Sequence, residues 1–445
     1  MADPHALATT PMPMPLVYAF GSNGSGQLGI GHTHDVSRPE RCLFSTGTGE
    51  RRGHTTNRDG RHSRLHGRSP SPTVRIPEVK KIVAGGNHTL LLTTEGRLFT
   101  AGKTRMRMAS SYDLVPGQTT DSTTSSSVVF EEVTHHVLSS SALGTVSETD
   151  GGVAADRAAV IVTDVAATWE ASFAVVDAKV IVGWGLGTKG ELGLGPRVIS
   201  TDGQVEKIFE VESAAPGDGE AVEIIGIVGS MAHVVVVLSD GRVYGWGSCR
   251  KGQLGEQLKT EKILWSPRNI GVGGGDDECL ALLPWVPEKV VAGREYTIFV
   301  KAGRPPVVWG DTRFFDEEDL QVIVGEDDVV TSGWSSIHVL SPRRSDQSLQ
   351  SAGRNDHGQL PPASLPPLRT VAAGSEHCVA LGRDNQVIAW GWGEHGNCGE
   401  TLDERGNVAG RYNLIPLSAL DDKIVPKDVA AGCATSFMIC GKEDG

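Results

Sequence analysis

Short apolar runs alternate along this chain with glycine-centred polar turns, and no apolar spacing of three and four residues persists long enough to predict a domain built on helices. Residues 371–399, VAAGSEHCVALGRDNQVIAWGWGEHGNCG, give the pattern in its fullest form. An apolar-Ala-Ala-Gly strand is followed by two variable residues and a histidine. A second apolar strand, a polar turn and a third apolar strand ending in Trp-Gly come next, and a glycine-rich loop closes the unit. Runs of this length, bounded by Gly, Asp and Ser, predict strands joined by hairpins.

The pattern recurs. Clear copies begin at Ile82 and Ile227, and weaker ones at Val165, Val290 and Val330, so that six complete units can be counted. Two half-units remain, one at each end. Tyr18 to Gly31 is a second half without a first, and Val429 to Cys440 a first half without a second. Together they make a seventh unit. Complementary halves predict a ring whose terminal strands share one blade, because an open solenoid would carry polar caps instead. The expected fold is an all-β, seven-bladed propeller over residues 16–441, with a disordered N-terminus at 1–15 and a tail at 442–445. Mobile insertions are expected at about 43–75, which is basic and polar, and at 115–150, which opens Ser/Thr-rich.

Each part of the unit has a physical reason. Blades taper towards the channel, so the innermost strand takes small residues such as Ala372-Ala373-Gly374. His88, His233 and His377 fill one column and Trp184, Trp246 and Trp390 another, both expected to be structural. In the Gly-Gln-Leu-Gly loops, Leu28 and Leu254 are expected to bury between blades, and the amides of Gln27 and Gln253 to tie neighbouring loops.

In this order, Ala-Gly-x-x-His, Gly-x-Val, Trp-Gly and Gly-Gln-Leu-Gly resemble the regulator of chromosome condensation repeat, from Tyr18 to Cys440. The blades at 290 and 330 depart from it, with Tyr296 and Ser336 in the histidine column. The opening VYAFGSNGSGQLGIGHTHDVSRPE is most similar to the fungal alpha-tubulin suppressor, or killer-toxin-insensitive, branch of the family. That resemblance implies a heterodimer with a small CSL-type zinc protein, acting in diphthamide formation on elongation factor 2 and in Elongator-dependent modification of tRNA wobble uridines. The family's namesake implies an alternative, guanine-nucleotide exchange on a Ran-like GTPase.

Composition limits the chemistry. A formal charge of −13 opposes direct binding of nucleic acid, and no apolar run approaches a membrane span. The chain is expected in the cytoplasm, with the nucleus as a second compartment. Seven cysteines form no CxxC pair, so neither a metal site nor a disulfide framework is expected. Gly185-Leu186-Gly187-Thr188-Lys189-Gly190 and the run from Gly391 to Gly396 both satisfy GxGxxG, but each leads into more loop where a dinucleotide site needs a helix. No nucleophile with a base and an orienting group stands out. Hence no cofactor, no catalytic residue and no enzymatic activity are expected.

Departures from the repeat point to function instead. The two residues before the histidine column read Gly86-Asn87, Trp169-Glu170, Met231-Ala232, Arg294-Glu295, Trp334-Ser335, Ser375-Glu376 and Cys433-Ala434. Trp and Arg dominate interface hot spots. Trp169, Glu170, Met231, Arg294, Glu295 and Trp334 are therefore the expected partner-binding residues.

Overall fold

The computed structural model describes residues 16–45, 78–106, 126–143, 160–212, 221–271, 283–316, 318–343, 349–418, 420 and 424–443. Seven antiparallel blades follow one another around a channel. Their inner strands are Val79–Ala84, Val162–Ala167, Ile224–Gly229, Lys289–Ala292, Val329–Ser332, Leu368–Ala373 and Ile424–Ala431, each packed on the next, and the last on the first. The seventh blade is shared by the chain's two ends. Leu16–Gly21 pairs with Thr435–Lys442 over six residues, from Leu16 opposite Cys440 to Gly21 opposite Thr435, and Val36–Arg41 and Ile424–Ala431 flank them.

The second strand of each blade lies between neighbouring blades. His88–Thr93, Ala171–Val176, His233–Leu238 and His377–Gly382 are therefore buried along their whole length. Both faces of these strands meet side chains, which explains why they read as continuous apolar runs rather than as an alternation. The core is correspondingly a circle of clusters at the seams. One such cluster joins Phe173, Trp246, Leu254 and Phe299, and another joins Phe20, Leu381, Trp390 and Met438.

The first blade carries a fourth strand at Ser126–Glu132, followed by a short helix at Thr134–Leu138, and Phe44–Ser45 pairs in parallel with that strand. This corrects the boundaries expected for the insertions, since Leu43–Ser45 and 126–143 belong to the blade. Phe44 stacks on Phe130 with ring centroids 5.2 Å apart, and Val133 and Val137 are buried. Burial of these apolar groups holds both segments down. The expected disordered N-terminus at 1–15, residues 46–77 and residues 444–445 lie outside the described residues.

Among the described residues the fourth and fifth blades have three strands where the other blades have four or more. Downstream of the fifth blade's Leu349–Gly353 the sequence supplies Pro361, Pro362, Pro366 and Pro367. A single proline is tolerated in an outer strand, as Pro39 and Pro267 are, but four within seven residues leave few N–H groups for a ladder, and no outer strand is present there. Among the described residues no helix is long and apolar enough to cross a membrane.

Candidate functional site

One face of the ring is built by a device repeated seven times. The third strand of each blade ends in a glycine of positive φ: Gly21, Gly102, Gly185, Gly247, Gly310, Gly353 and Gly391, from +83° to +124°. A Cβ at any of them would strike the carbonyl oxygen of the residue just before the histidine column, namely Ala434, Asn87, Glu170, Ala232, Glu295, Ser335 or Glu376. The residue after each glycine donates its N–H to that carbonyl, at 2.7 to 3.0 Å. Only glycine permits this approach, and the approach fixes the rim turn.

The rim turns are tied to one another as well. Gly86 donates to the Trp169 carbonyl at 2.9 Å, Trp169 to Met231 at 3.3 Å, Arg294 to Trp334 at 3.0 Å, Trp334 to Ser375 at 2.7 Å and Ser375 to Gly432 at 3.1 Å. Their side chains are thus presented on a stiff circle of backbone. Trp169 and Trp334, from the second and fifth blades, meet across it with ring centroids 5.9 Å apart and planes at 46°. The bare Gly86 leaves space for the Trp169 ring, which a Cβ there would strike. The Arg294 guanidinium lies 5.5 Å from the Trp334 ring and is exposed. Beneath the two indoles lies a cavity of about 260 Å³, walled by inner-strand residues such as Ala84, Ala167, Ala292 and Ala373.

Of the six expected partner-binding residues, the structure brings Trp169, Trp334 and Arg294 into contact. Met231 stands half-buried beside them on the rim. Glu170 is drawn outward by an ion pair with Arg105, and Glu295 contributes its carbonyl to the turn device. Glu376 stands among the residues before the histidine column but is not one of the six chosen from them, and Arg105 lies outside them. The Glu376 carboxylate accepts from Ser335 Oγ at 2.9 Å and Gln359 Nε2 at 2.8 Å, which joins the fifth and sixth blades at the rim.

Below the rim the repeat residues form the seams. His233 Nε2 bonds Thr297 Oγ1 of the next blade at 3.0 Å, and His377 Nε2 bonds Ser436 Oγ at 3.0 Å. Those hydroxyls donate onward to the carbonyls of Gln253 and Asn397, just as Thr89 Oγ1 donates to Gln27 at 2.7 Å. Tyr296 replaces the histidine by reaching the next blade directly, its hydroxyl 2.9 Å from the carbonyls of Gly333 and Ser336. In the fifth blade Ser336 is too short, and His338 takes over two residues along the same strand. Its Nε2 lies 3.0 Å from Ser336 Oγ and 3.4 Å from Cys378 Sγ of the next blade. Burial lowers His88, His233, His338 and His377 to about 4, so all four are neutral near pH 7.

Trp184, Trp246 and Trp390 are fully buried. Trp246 Nε1 donates to the Glu191 carbonyl at 2.7 Å and Trp390 Nε1 to that of Gln359 at 3.0 Å. Leu28 and Leu254 are fully buried at seams. The Gln359 amide reaches the next blade at Glu376, whereas those of Gln27 and Gln253 act otherwise than expected. Gln27 Oε1 accepts from Ser25 N and Gln253 Oε1 from Lys251 N, both at 2.9 Å, so each closes its own loop. In these two loops it is the backbone carbonyl of the glutamine that ties one blade to the next.

Comparison with known proteins agrees with this architecture. Models of the regulator of chromosome condensation (RCC1) repeat match residues 16–52, 79–105 and 369–397. An RCC1 repeat-containing protein of Schizosaccharomyces pombe is 23% identical over 95% of this chain and 98% of its own length. The secretion-regulating guanine nucleotide exchange factor of mouse is 21% identical over 96% of this chain and 83% of its own. Among solved structures, that of Prp20p from Saccharomyces cerevisiae, described with its binding to Gsp1p and histones, superposes with a TM-score of 0.64 at 18% identity, covering 98% of this chain and 93% of that one. These relatives correct the expectation that the chain is no enzyme, because a protein aligned along nearly all of it is an exchange factor. The physical reason is that accelerated exchange needs no nucleophile or proton relay. It needs tighter binding of one state of the partner than another, and the missing triad therefore had no bearing on it.

Proposed function

Since the chain carries regulator of chromosome condensation repeats closed into a seven-bladed propeller, we propose that it binds a small GTPase on its rim and promotes guanine-nucleotide exchange there. The observation that carries this reading is the contact of Trp169, Trp334 and Arg294 on a rim of mutually bonded turns. Aromatic and arginine anchors held by a rigid frame lose little entropy on binding, which suits them to grip a folded partner. The relatives named exchange factors support the same class of activity.

The experiment is release of a fluorescent GDP from a Ran-like GTPase in the presence of the whole chain. Release should accelerate, and Trp334→Ala or Trp169→Ala should weaken the complex by about 2 kcal/mol or more, roughly thirtyfold, with the melting temperature little changed. The CSL-type zinc protein of diphthamide and Elongator chemistry is the competing partner, and none of the relatives supports it. Unchanged GDP release together with saturable one-to-one binding of that zinc protein would overturn the exchange reading. The reading places the chain wherever its GTPase resides, in cytoplasm or nucleus.

A further inference from the structure

The circle of bonded rim turns is broken at two places. Gly86, Trp169, Arg294, Trp334 and Ser375 each donate to the turn of the next blade. Among the described residues, however, the N–H groups of Met231 and Cys433 find no acceptor, and the carbonyls of Arg294 and Gly86 find no donor. At the break between the third and fourth blades stand the long side chains of Met231 and Arg294. At the break between the seventh and first blades stand Cys433 and Gly86, both half-buried, with Ser375 alongside. The cavity beneath the indoles is walled by these last three residues and nowhere by Arg294.

The second break follows from a slip in register. Gly86 bonds Trp169, Trp169 bonds Met231, Arg294 bonds Trp334 and Trp334 bonds Ser375, each pair holding the same place in its turn. Ser375 instead bonds Gly432, one residue early, and Cys433 is passed over. Ala434, which follows, is alone among the seven residues just before the histidine column in taking left-handed backbone, with φ of +53°. The other side of the notch is kept bare, since a Cβ on Gly86 would lie 2.7 Å from the Trp169 ring. A third polar group borders the same space. Ser375 is 3% exposed, and its Oγ has only the weakly polar Cys433 thiol beside it.

The notch therefore offers one N–H, one carbonyl and one hydroxyl, set among small residues next to two indoles. A carboxylate can accept there but not donate, and an ammonium can donate but not accept; each would also leave a charge poorly solvated. A carboxamide does both and carries no charge. We propose that this notch reads a glutamine or asparagine side chain of the protein seated on the rim. The side-chain oxygen accepts from the Cys433 N–H, the amino group donates to the Gly86 carbonyl, and the Ser375 hydroxyl takes a remaining contact. The inference rests on the reading that a protein sits on the rim, but not on that protein being a GTPase.

The probe is a set of blocked tripeptides, acetyl-Gly-X-Gly-methylamide, with X glutamine, glutamate, methionine, lysine or glycine, added to the whole chain. Binding is read from the backbone amide resonances of Cys433 and Ser375, and from the rate at which methyl methanethiosulfonate labels Cys433. The glutamine peptide should shift both resonances saturably and slow labelling, and the other four should bind about tenfold more weakly or worse. Cys433→Phe, which fills the notch, should abolish the shift at Ser375; should that variant not fold, labelling of the wild-type chain decides. Equal response to the glutamate or glycine peptide, shifts at Met231 in place of Cys433, or no saturation at high millimolar glutamine peptide would overturn the proposal. No GTPase enters this experiment, so such a failure leaves the exchange reading standing. Saturable glutamine binding by a chain that leaves GDP release unchanged would keep this inference and remove that reading.

Discussion

The ring should lose its stability in mild acid, and the loss should come from the four seam histidines. His88, His233, His338 and His377 are lowered from 6.5 to about 4 by burial, whereas in the unfolded chain they titrate near their ordinary value. Below pH 6.5 the unfolded state therefore takes up protons that the folded state refuses. Stability falls as pH drops through that range and levels off below about 4, where both states are protonated. At 1.36 kcal/mol per pH unit, each histidine costs about 2 kcal/mol by about pH 5, and the four together about 8 kcal/mol, which is comparable with the whole stability of an ordinary domain. The carboxylates held low by hydrogen bonds and ion pairs, among them Glu132 beside Arg97 and Asp311 beside Arg313, release their contribution only at lower pH, so the window from 6.5 to 5 belongs to the histidines. Urea unfolding followed by tryptophan fluorescence at several pH values measures this directly. His233→Gln should remove about a quarter of the acid loss, and His233→Gln with His377→Gln about half, even though each substitution costs about 1 kcal/mol at neutral pH through its seam hydrogen bond. Urea midpoints that fall in parallel for the wild type and the double variant would refute the reasoning.

Other seams make separate predictions. Trp246→Phe should cost about 1 kcal/mol more than Trp184→Phe in thermal unfolding, because Trp246 Nε1 donates to the Glu191 carbonyl, whereas Trp184 Nε1 is buried with no partner among the described residues. Tyr296→Phe removes the hydroxyl that bonds both Gly333 and Ser336, and should destabilise the chain by about 1–3 kcal/mol, with exchange at Ser336–Leu340 rising before that of other second strands. Gly391→Ala should be more damaging than Gly195→Ala although both have positive φ, since only at Gly391 would a Cβ strike backbone, the Glu376 carbonyl and His377 Cα; melting temperatures distinguish them.

How far the sequence can be read follows from what each feature depends on. The ring closure was legible because it rests on order along the chain, with half a unit at Tyr18–Gly31 and its complement at Val429–Cys440, which Leu16–Gly21 and Thr435–Lys442 now join as one sheet. The loss of histidine at Ser336 was legible too, but its remedy was not. A column counts one position, whereas side chains two apart on a strand share a face, and so His338 reaches the seam that Ser336 cannot. The glutamine loops hid their function for a different reason. At Gln27 and Gln253 the tie to the next blade runs through a backbone carbonyl that every residue type possesses, and the amide oxygen shapes the loop that aims it. The rim depends on distance across the ring. Trp169 and Trp334 stand three blades apart in order, and only the diameter of a channel lined by alanine and glycine brings their indoles to 5.9 Å. The small residues that sequence explains as a taper therefore also set the spacing of the aromatic pair above them. A bulkier inner strand would widen the ring and part the indoles without touching either one.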